Sequence, residues 1–263
     1  MKGDHLLDQN AYMLMTSVYR LVLAHTSTHF KAVKALRKEV LLEKYRNFAT
    51  IEDEEAFAWD ESDEQSFLYL IEHRESGRFV GTIRVFFINE RTPLQKMPME
   101  HYTYAPRIAE LKSKLPVCEI SRFALSKNLP TFQNRHALWI RTHLSLLLMI
   151  GTRITAQVYP FAMIFAIMEH SLARLLRYQH AYFEQIGESV DYYGLRTPFV
   201  VEPQKLIAET SATEEISRFY RERFCAPEGD IRRFITKNPY LSQESFICPP
   251  DRSLHTSAAH RRG

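Results

Sequence analysis

Cysteine is scarce in this 263-residue chain, and the three present (Cys118, Cys225 and Cys248) are far apart and form no CxxC pair. That excludes a zinc ribbon and argues against a disulfide framework, which points to a reducing, cytoplasmic setting. Neither sign of charge is in real excess, since 34 basic against 31 acidic residues leave only +3. So even a balance lacks the basic footprint that non-specific nucleic-acid binding requires. No apolar run approaches the ~20 residues of a spanning helix, so no integral membrane segment is expected. Residues 1–10 lack the apolar core of a secretion signal. The HExxH, GxSxG and P-loop motifs are absent, and His25 and His29 have no evident third ligand, so no metal site is expected.

The content that remains is a hydrophobic fraction of 45%, enough for a sizeable core. Residues 18–24 (VYRLVLA) read as a first strand. An amphipathic helix follows, with Phe30, Val33, Leu36, Val40 and Leu41 at three- and four-residue spacing and Arg37 beside that face. Residues 52–64 form an acidic, irregular stretch holding Phe57 and Trp59. Two β-branched and aromatic runs, 66–73 and 79–88, joined through Glu75, Ser76 and Gly77, predict a hairpin. Pro93, Pro98 and Pro106 predict an irregular excursion with a short helix at 108–115. Residues 117–126 (VCEISRFALS) predict another strand. A long helix is expected over 132–156, with Leu138, Leu144, Leu147 and Leu148 inward and an end or bend at Gly151. The continuous apolar run 161–168 predicts a strand buried on both faces. Residues 171–178 predict an amphipathic helix, and 181–186 and 199–202 predict strands around a loop. The fold class is therefore α/β (α+β), a central mixed sheet with helices on both faces. The chain divides into an N-terminal extension (1–17), one domain (18–205), a polar helical extension (206–248) and a disordered tail (249–263).

Several of these segments resemble one family. CEISRFALSK at 118–127 is similar to the E-[LI]-S-R-[FL]-A-V strand of acyl-homoserine lactone synthases. ALRKEVLLE at 35–43, WDESDEQS at 59–66 and GTIR at 81–84 are similar to that family's first helix, acidic segment and next strand, in the same order. SLARLLRYQHAYFEQIGESVDYYGLRTPFVVE at 171–202 resembles the acyltransferases associated with the PEP-CTERM/exosortase system, relatives of long-chain N-acyl amino acid synthases. The resemblance implies an N-acetyltransferase-like fold and acyl transfer from a thioester. Leu41, Asn47 and Phe57 stand where lactone synthases carry residues that help hold S-adenosylmethionine. Those replacements favour an amino acid or similar small amine as acceptor. The alternatives are a lactone-type signal synthase and a non-catalytic acyl-binding relative.

Acyl transfer to an amine needs a base and a stabilised oxyanion. Glu119 is the candidate base and Ser121 accompanies it as a catalytic candidate. The competing role for Glu119 is an ion pair with Arg122, Arg84 or Arg37. In a regular strand Glu119, Ser121 and Phe123 share one face while Arg122 points the other way. Only a bulge near Arg122 or Phe123 would bring Arg122 to the same side. The resemblance implies that Arg37, Asp60, Arg84 and Arg122 form a cluster ordering the site, and that Tyr193 and Arg196 contact the acceptor. No tightly bound cofactor is expected. Residues 127–136 (KNLPTFQNRH) contain no glycine to cradle a pyrophosphate. That favours acyl-phosphopantetheine on an acyl carrier protein over acyl-CoA, with Lys127, Arg135 and Arg141 as candidate contacts to an acidic carrier.

Overall fold

The structure, a computed structural model, describes residues 17–43, 54–129, 137–159, 161–178 and 181–205. The 206–248 extension, the tail, Asn47 and Arg135 lie outside the described residues, as does the side chain of Leu138. The sheet contains β1 (Tyr19–Leu23), β2 (Ser66–His73), β3 (Phe79–Ile88), β4 (Val117–Leu125), β5 (Met163–Met168), β6 (Glu184–Gln185), β7 (Val190–Asp191) and β8 (Leu195–Val201). Its order is β1-β2-β3-β4-β5-β8-β6, with β7 paired to β8. Every pairing is antiparallel except β4 with β5. The sheet is therefore mixed, as expected, and the hairpin forms on the two predicted runs with Gly77 at φ 66° in its turn.

Strand alternation divides the core. Phe67, Tyr69 and Ile71 of β2 and Ile83, Val85 and Phe87 of β3 pack with Leu144, Leu147 and Leu148 of the long helix α4 (Ala137–Val158). Leu68 and Leu70 point to the other face and meet Val33 and Leu36 of α1 (Ser27–Arg37). Each such apolar side chain contributes about 1.5–3 kcal/mol on burial. Thr26 caps α1 by accepting the His29 N–H. The chain then widens into a π-helical turn, Lys38–Leu42, which changes the phase of the side chains that follow.

Three expectations are corrected. The acidic stretch is not irregular: it holds α2 (Glu54–Ala58) and a 3-10 turn, Glu61–Asp63. Its order comes from a reciprocal cap in which Asp60 Oδ1 accepts the Ser62 N–H and Asp63 Oδ2 accepts the Asp60 N–H. Helix α4 does not end at Gly151 but continues to Val158. A Cβ there would meet the Tyr69 ring at 2.9–3.1 Å, so the glycine serves a close helix–sheet approach. The short helix of the proline-rich excursion, α3, starts at Pro106 and ends at Lys112, where proline at the first turn suits a helix start.

Candidate active site

β4 carries the site, and its geometry turns on one inserted residue. Thr82 pairs with Ala124 and Arg84 with Ser121, so β4 holds one more residue than β3 over that stretch. Arg122 takes up the difference in the left-handed region at φ 55°. The side-chain parity resets as a result: Ile120 and Leu125 join the α4-side core with Phe123 packed against it, while Glu119, Ser121 and Arg122 make their contacts on the opposite face. A non-glycine residue in this conformation costs of order 1 kcal/mol and is held there by its surroundings. Here Arg122 Nη1 donates to Phe57 O at 2.8 Å, Nη2 donates to Asp60 Oδ2 at 2.8 Å, and the guanidinium lies 5.0 Å from the Phe57 ring centre.

The predicted cluster forms, with one member that sequence reasoning missed. Arg84 Nη1 donates to both oxygens of Asp60, at 2.7 and 2.9 Å, and Arg84 Nε donates to Ser121 Oγ at 3.0 Å. Arg37 does not reach Asp60. It forms a two-pronged pair with Asp63 at 2.8 Å on each arm and donates to Ala58 O. Arg37, Asp63 and Arg84 are all buried, so each charge must be neutralised where it stands. Burial pushes the Asp60 carboxyl up, but Arg84 and Arg122 outweigh it and hold Asp60 well below the usual carboxylate range.

Glu119 stands apart from this chain of ion pairs. Among the described residues, the ion pairs of Arg37, Arg84 and Arg122 run to Asp60 and Asp63, not to Glu119. Its direct partner is a neutral amide, with Met99 N donating to Oε2 at 2.8 Å. Met99 sits in a 3-10 turn, Pro98–His101, of the proline-rich excursion. Burial raises the Glu119 carboxyl to about 7, while the Met99 amide, the Arg84 charge and the Ser121 hydroxyl pull it down. A carboxyl poised near neutrality, where it can both take up and release a proton, has the value general acid–base catalysis favours.

The parallel ladder between β4 and β5 lasts only from Val117 with Met163 to Ile120 with Ala166. Beyond it β4 stays paired to β3 through Leu125, but among the described residues its β5-facing edge has no strand partner. A cavity of about 640 Å³ opens along this edge and is lined by Ser121 through Leu125. One end reaches Met99, Glu119, Tyr102 and Tyr192; the other reaches Arg141, Ser145, Met149, Leu172, Leu176 and Phe183 under α4 and α5 (His170–Tyr178). The cavity therefore runs between the two faces of the sheet at the point where β4 and β5 part.

No family model and no curated protein matches the sequence. Among solved structures, FeeM, an N-acyl amino acid synthase from uncultured soil microbes, superposes with a TM-score of 0.54 at 13% identity, over 75% of this chain and 97% of that one. The two chains share a fold. A GNAT-family acetyltransferase from Streptococcus agalactiae 2603 gives 0.44 at 12% identity, over 70% and 95%. A CoA-dependent acyl-homoserine lactone synthase, BjaI, gives 0.47 at 16% identity, over 76% and 89%. The mixed α/β architecture expected from the sequence is the one found, and FeeM shares its fold.

The remaining predicted residues divide between the two ends of the cavity. Phe123 lines it at the bulge. Arg196 lines the Glu119 end, donating to Tyr192 O at 2.8 Å and Glu169 Oε1 at 3.2 Å. Tyr193, in the left-handed region at φ 50°, does not line the cavity but meets Phe57 edge-on at 5.9 Å. Lys127 and Arg141 both line the cavity near the C-terminal end of β4. Lys127 Nζ pairs with Glu43 at 2.6 Å, and Arg141 Nη1 donates to Ser126 O at 3.2 Å. Sequence reasoning missed Asp63, Met99, Tyr102 and Glu169. The spacing of Asp60 and Asp63 in the acidic segment carried a usable capping signal. Met99 contributes a backbone N–H, which leaves no trace in residue type. Among the described residues no cluster of His, Cys, Asp and Glu is suited to hold a metal, and no helix is long and apolar enough to cross a membrane.

Proposed function

We propose that this protein is an N-acyltransferase that moves a long-chain acyl group from the thioester of an acyl carrier protein to an amino acid or similar small amine by direct attack. The observation that carries this reading is Glu119, a buried carboxyl raised to about 7 on the wall of a cavity that follows an open strand edge. The fold shared with FeeM supports it. The amine nitrogen attacks the thioester carbonyl carbon, and Glu119 takes the proton the nitrogen loses. The free edge of β4 at the bulge offers backbone N–H groups to the oxyanion. As the C–S bond breaks, a proton from the Glu119 carboxyl neutralises the leaving thiolate. Ser121, fixed by Arg84 Nε, sets its hydroxyl beside the Glu119 carboxyl.

The apolar wall of Met149, Leu172, Leu176 and Phe183 suits an acyl chain, and Lys127 and Arg141 suit the single phosphate of a carrier-linked pantetheine arm. The 171–202 motif assigns the chain, in this reading, to the acyltransferases associated with the PEP-CTERM/exosortase system. The test is lipid mass spectrometry of cells expressing the wild type beside Glu119→Gln, with a panel of supplied amines. New N-acyl amines in the wild type, much reduced in the variant, are expected. Their absence from the wild type across the panel would sink the enzyme reading. Equal product from the variant would remove Glu119 as the base.

A further inference from the structure

A chain of contacts leaves β4 beside the Glu119 end of the cavity and returns to it. Arg122 on β4 holds Phe57 through its carbonyl and its ring. Phe57 meets Tyr193 edge-on at 5.9 Å. Tyr193 is followed in reverse by Tyr192, whose ring lies 4.9 Å away. Tyr192 stacks on Tyr102, with ring centres 3.8 Å apart and planes 26° apart. Tyr102 N donates to Met99 O, and Met99 N donates to Glu119, back on β4. The links differ in strength. Arg122 is anchored by two 2.8 Å hydrogen bonds and Met99 by one. The Tyr102–Tyr192 stack is a face-to-face contact between two separate segments, and Tyr102 is 49% exposed. Both rings line the cavity.

We infer that the Tyr102–Tyr192 stack is the acceptor portal, the part of the ring that opens to admit the amine and sets the largest acceptor that reaches Glu119. This rests on the acyltransfer reading for the identity of the ligand. The physical case is that an aromatic pair is worth about 0.5–1.5 kcal/mol beyond its buried area, so this stack, with Tyr102 half-exposed, opens more readily than the hydrogen-bonded links at Arg122 and Met99. The rings of a closed stack leave no room between them, so an amine with a small side chain passes with little displacement and a bulky one must hold the pair apart. Tyr193 contributes by rigidity: its left-handed backbone and the following Gly194 at φ 97° fix where Tyr192 is presented.

The test uses the full chain and three forms: wild type, Tyr102→Ala and Tyr192→Ala. Tyr104→Ala, 91% exposed and outside the ring of contacts, is the control. Acyl transfer is measured on a graded panel of amino acids from glycine to large aliphatic and aromatic ones, with binding of the same amines followed by calorimetry. Opening the portal should raise kcat/KM for the bulky amines at least fivefold relative to glycine, while KM for the thioester stays unchanged. An unchanged acceptor ranking in both portal variants would overturn the inference, as would a shift in thioester KM with acceptor ranking intact. If the wild type acylates no amine, the acyltransfer reading fails separately and calorimetry decides the portal. Tighter binding of bulky amines in Tyr102→Ala than in wild type upholds it, and identical affinities or no amine binding in any form overturns it.

Discussion

Glu119 links rate and stability through one ionisation, and the two should move in opposite directions with pH. Its carboxyl is raised from the ordinary 4.5 to about 7 by burial. If it acts as the base, kcat/KM rises with pH, reaching half its plateau near pH 7 and standing at about one tenth of it at pH 6. Glu119→Gln keeps an oxygen for the Met99 amide but cannot take a proton, so the rate falls by about 10²–10⁴-fold. Stability follows the opposite course. Between pH 4.5 and 7 the folded chain holds a proton on Glu119 that the unfolded chain has released, so stability declines as pH rises through that window. The full decline is about 3 kcal/mol, most of it falling between pH 5 and pH 8.5. Glu119→Gln does not ionise and escapes it. Thermal unfolding of both proteins at the two pH values should show the variant gaining roughly 5–10 °C on the wild type at the higher pH relative to the lower. A stability difference that does not change with pH, together with a flat wild-type rate profile, would refute the claim that Glu119 is a desolvated carboxyl titrating near neutrality.

The bulge and the buried charges give further expectations. Arg122→Gly and Arg122→Ala both lose the guanidinium, but glycine adopts φ 55° without strain, so Arg122→Ala should turn over about fivefold more slowly than Arg122→Gly; equal kcat values would show that backbone geometry there is immaterial. Asp63→Asn leaves Arg37 buried beside a neutral partner, and a loss of about 3–5 kcal/mol is expected by chemical denaturation. Gly151→Ala sets a methyl group 2.9–3.1 Å from the Tyr69 ring atoms. Overpacking of about 1–3 kcal/mol should outweigh the gain in helix propensity of about 1 kcal/mol, lowering Tm.

Much of the fold was legible because its signals are local. The β2–β3 hairpin has β-branched and aromatic runs around a glycine turn, and the long apolar helix is recognisable from its leucines alone. What escaped depends on contacts between distant segments. Gly151 reads as a helix breaker until the Tyr69 ring is placed against it. The acidic stretch reads as loop because its two short turns are fixed by carboxylates pairing with Arg37 and Arg84, 26 and 24 residues away. The site was legible by residue type and not by pairing. Asp60, Arg84 and Arg122 do come together, yet Arg37 belongs to Asp63, and the partner of Glu119 is a main-chain amide.

That last difference bears on the choice between a structural and a chemical role for Glu119. Strand parity made an ion pair between Glu119 and Arg122 impossible in a regular β4 and allowed it only with a bulge. The bulge is present and brings Arg122 to the Glu119 face, but Asp60 claims the guanidinium. Asp63 claims Arg37, and the two aspartates share Arg84. Three guanidiniums are thus occupied by two carboxylates before Glu119 is reached. A glutamate paired to arginine would be held low and would make a poor base at neutral pH. Bound instead to a neutral amide in a buried setting, Glu119 is held near 7. Asp60 therefore anchors the arginine that holds the bulge, and the two aspartates together keep the buried cations from quenching the carboxyl of Glu119 beside the open strand edge.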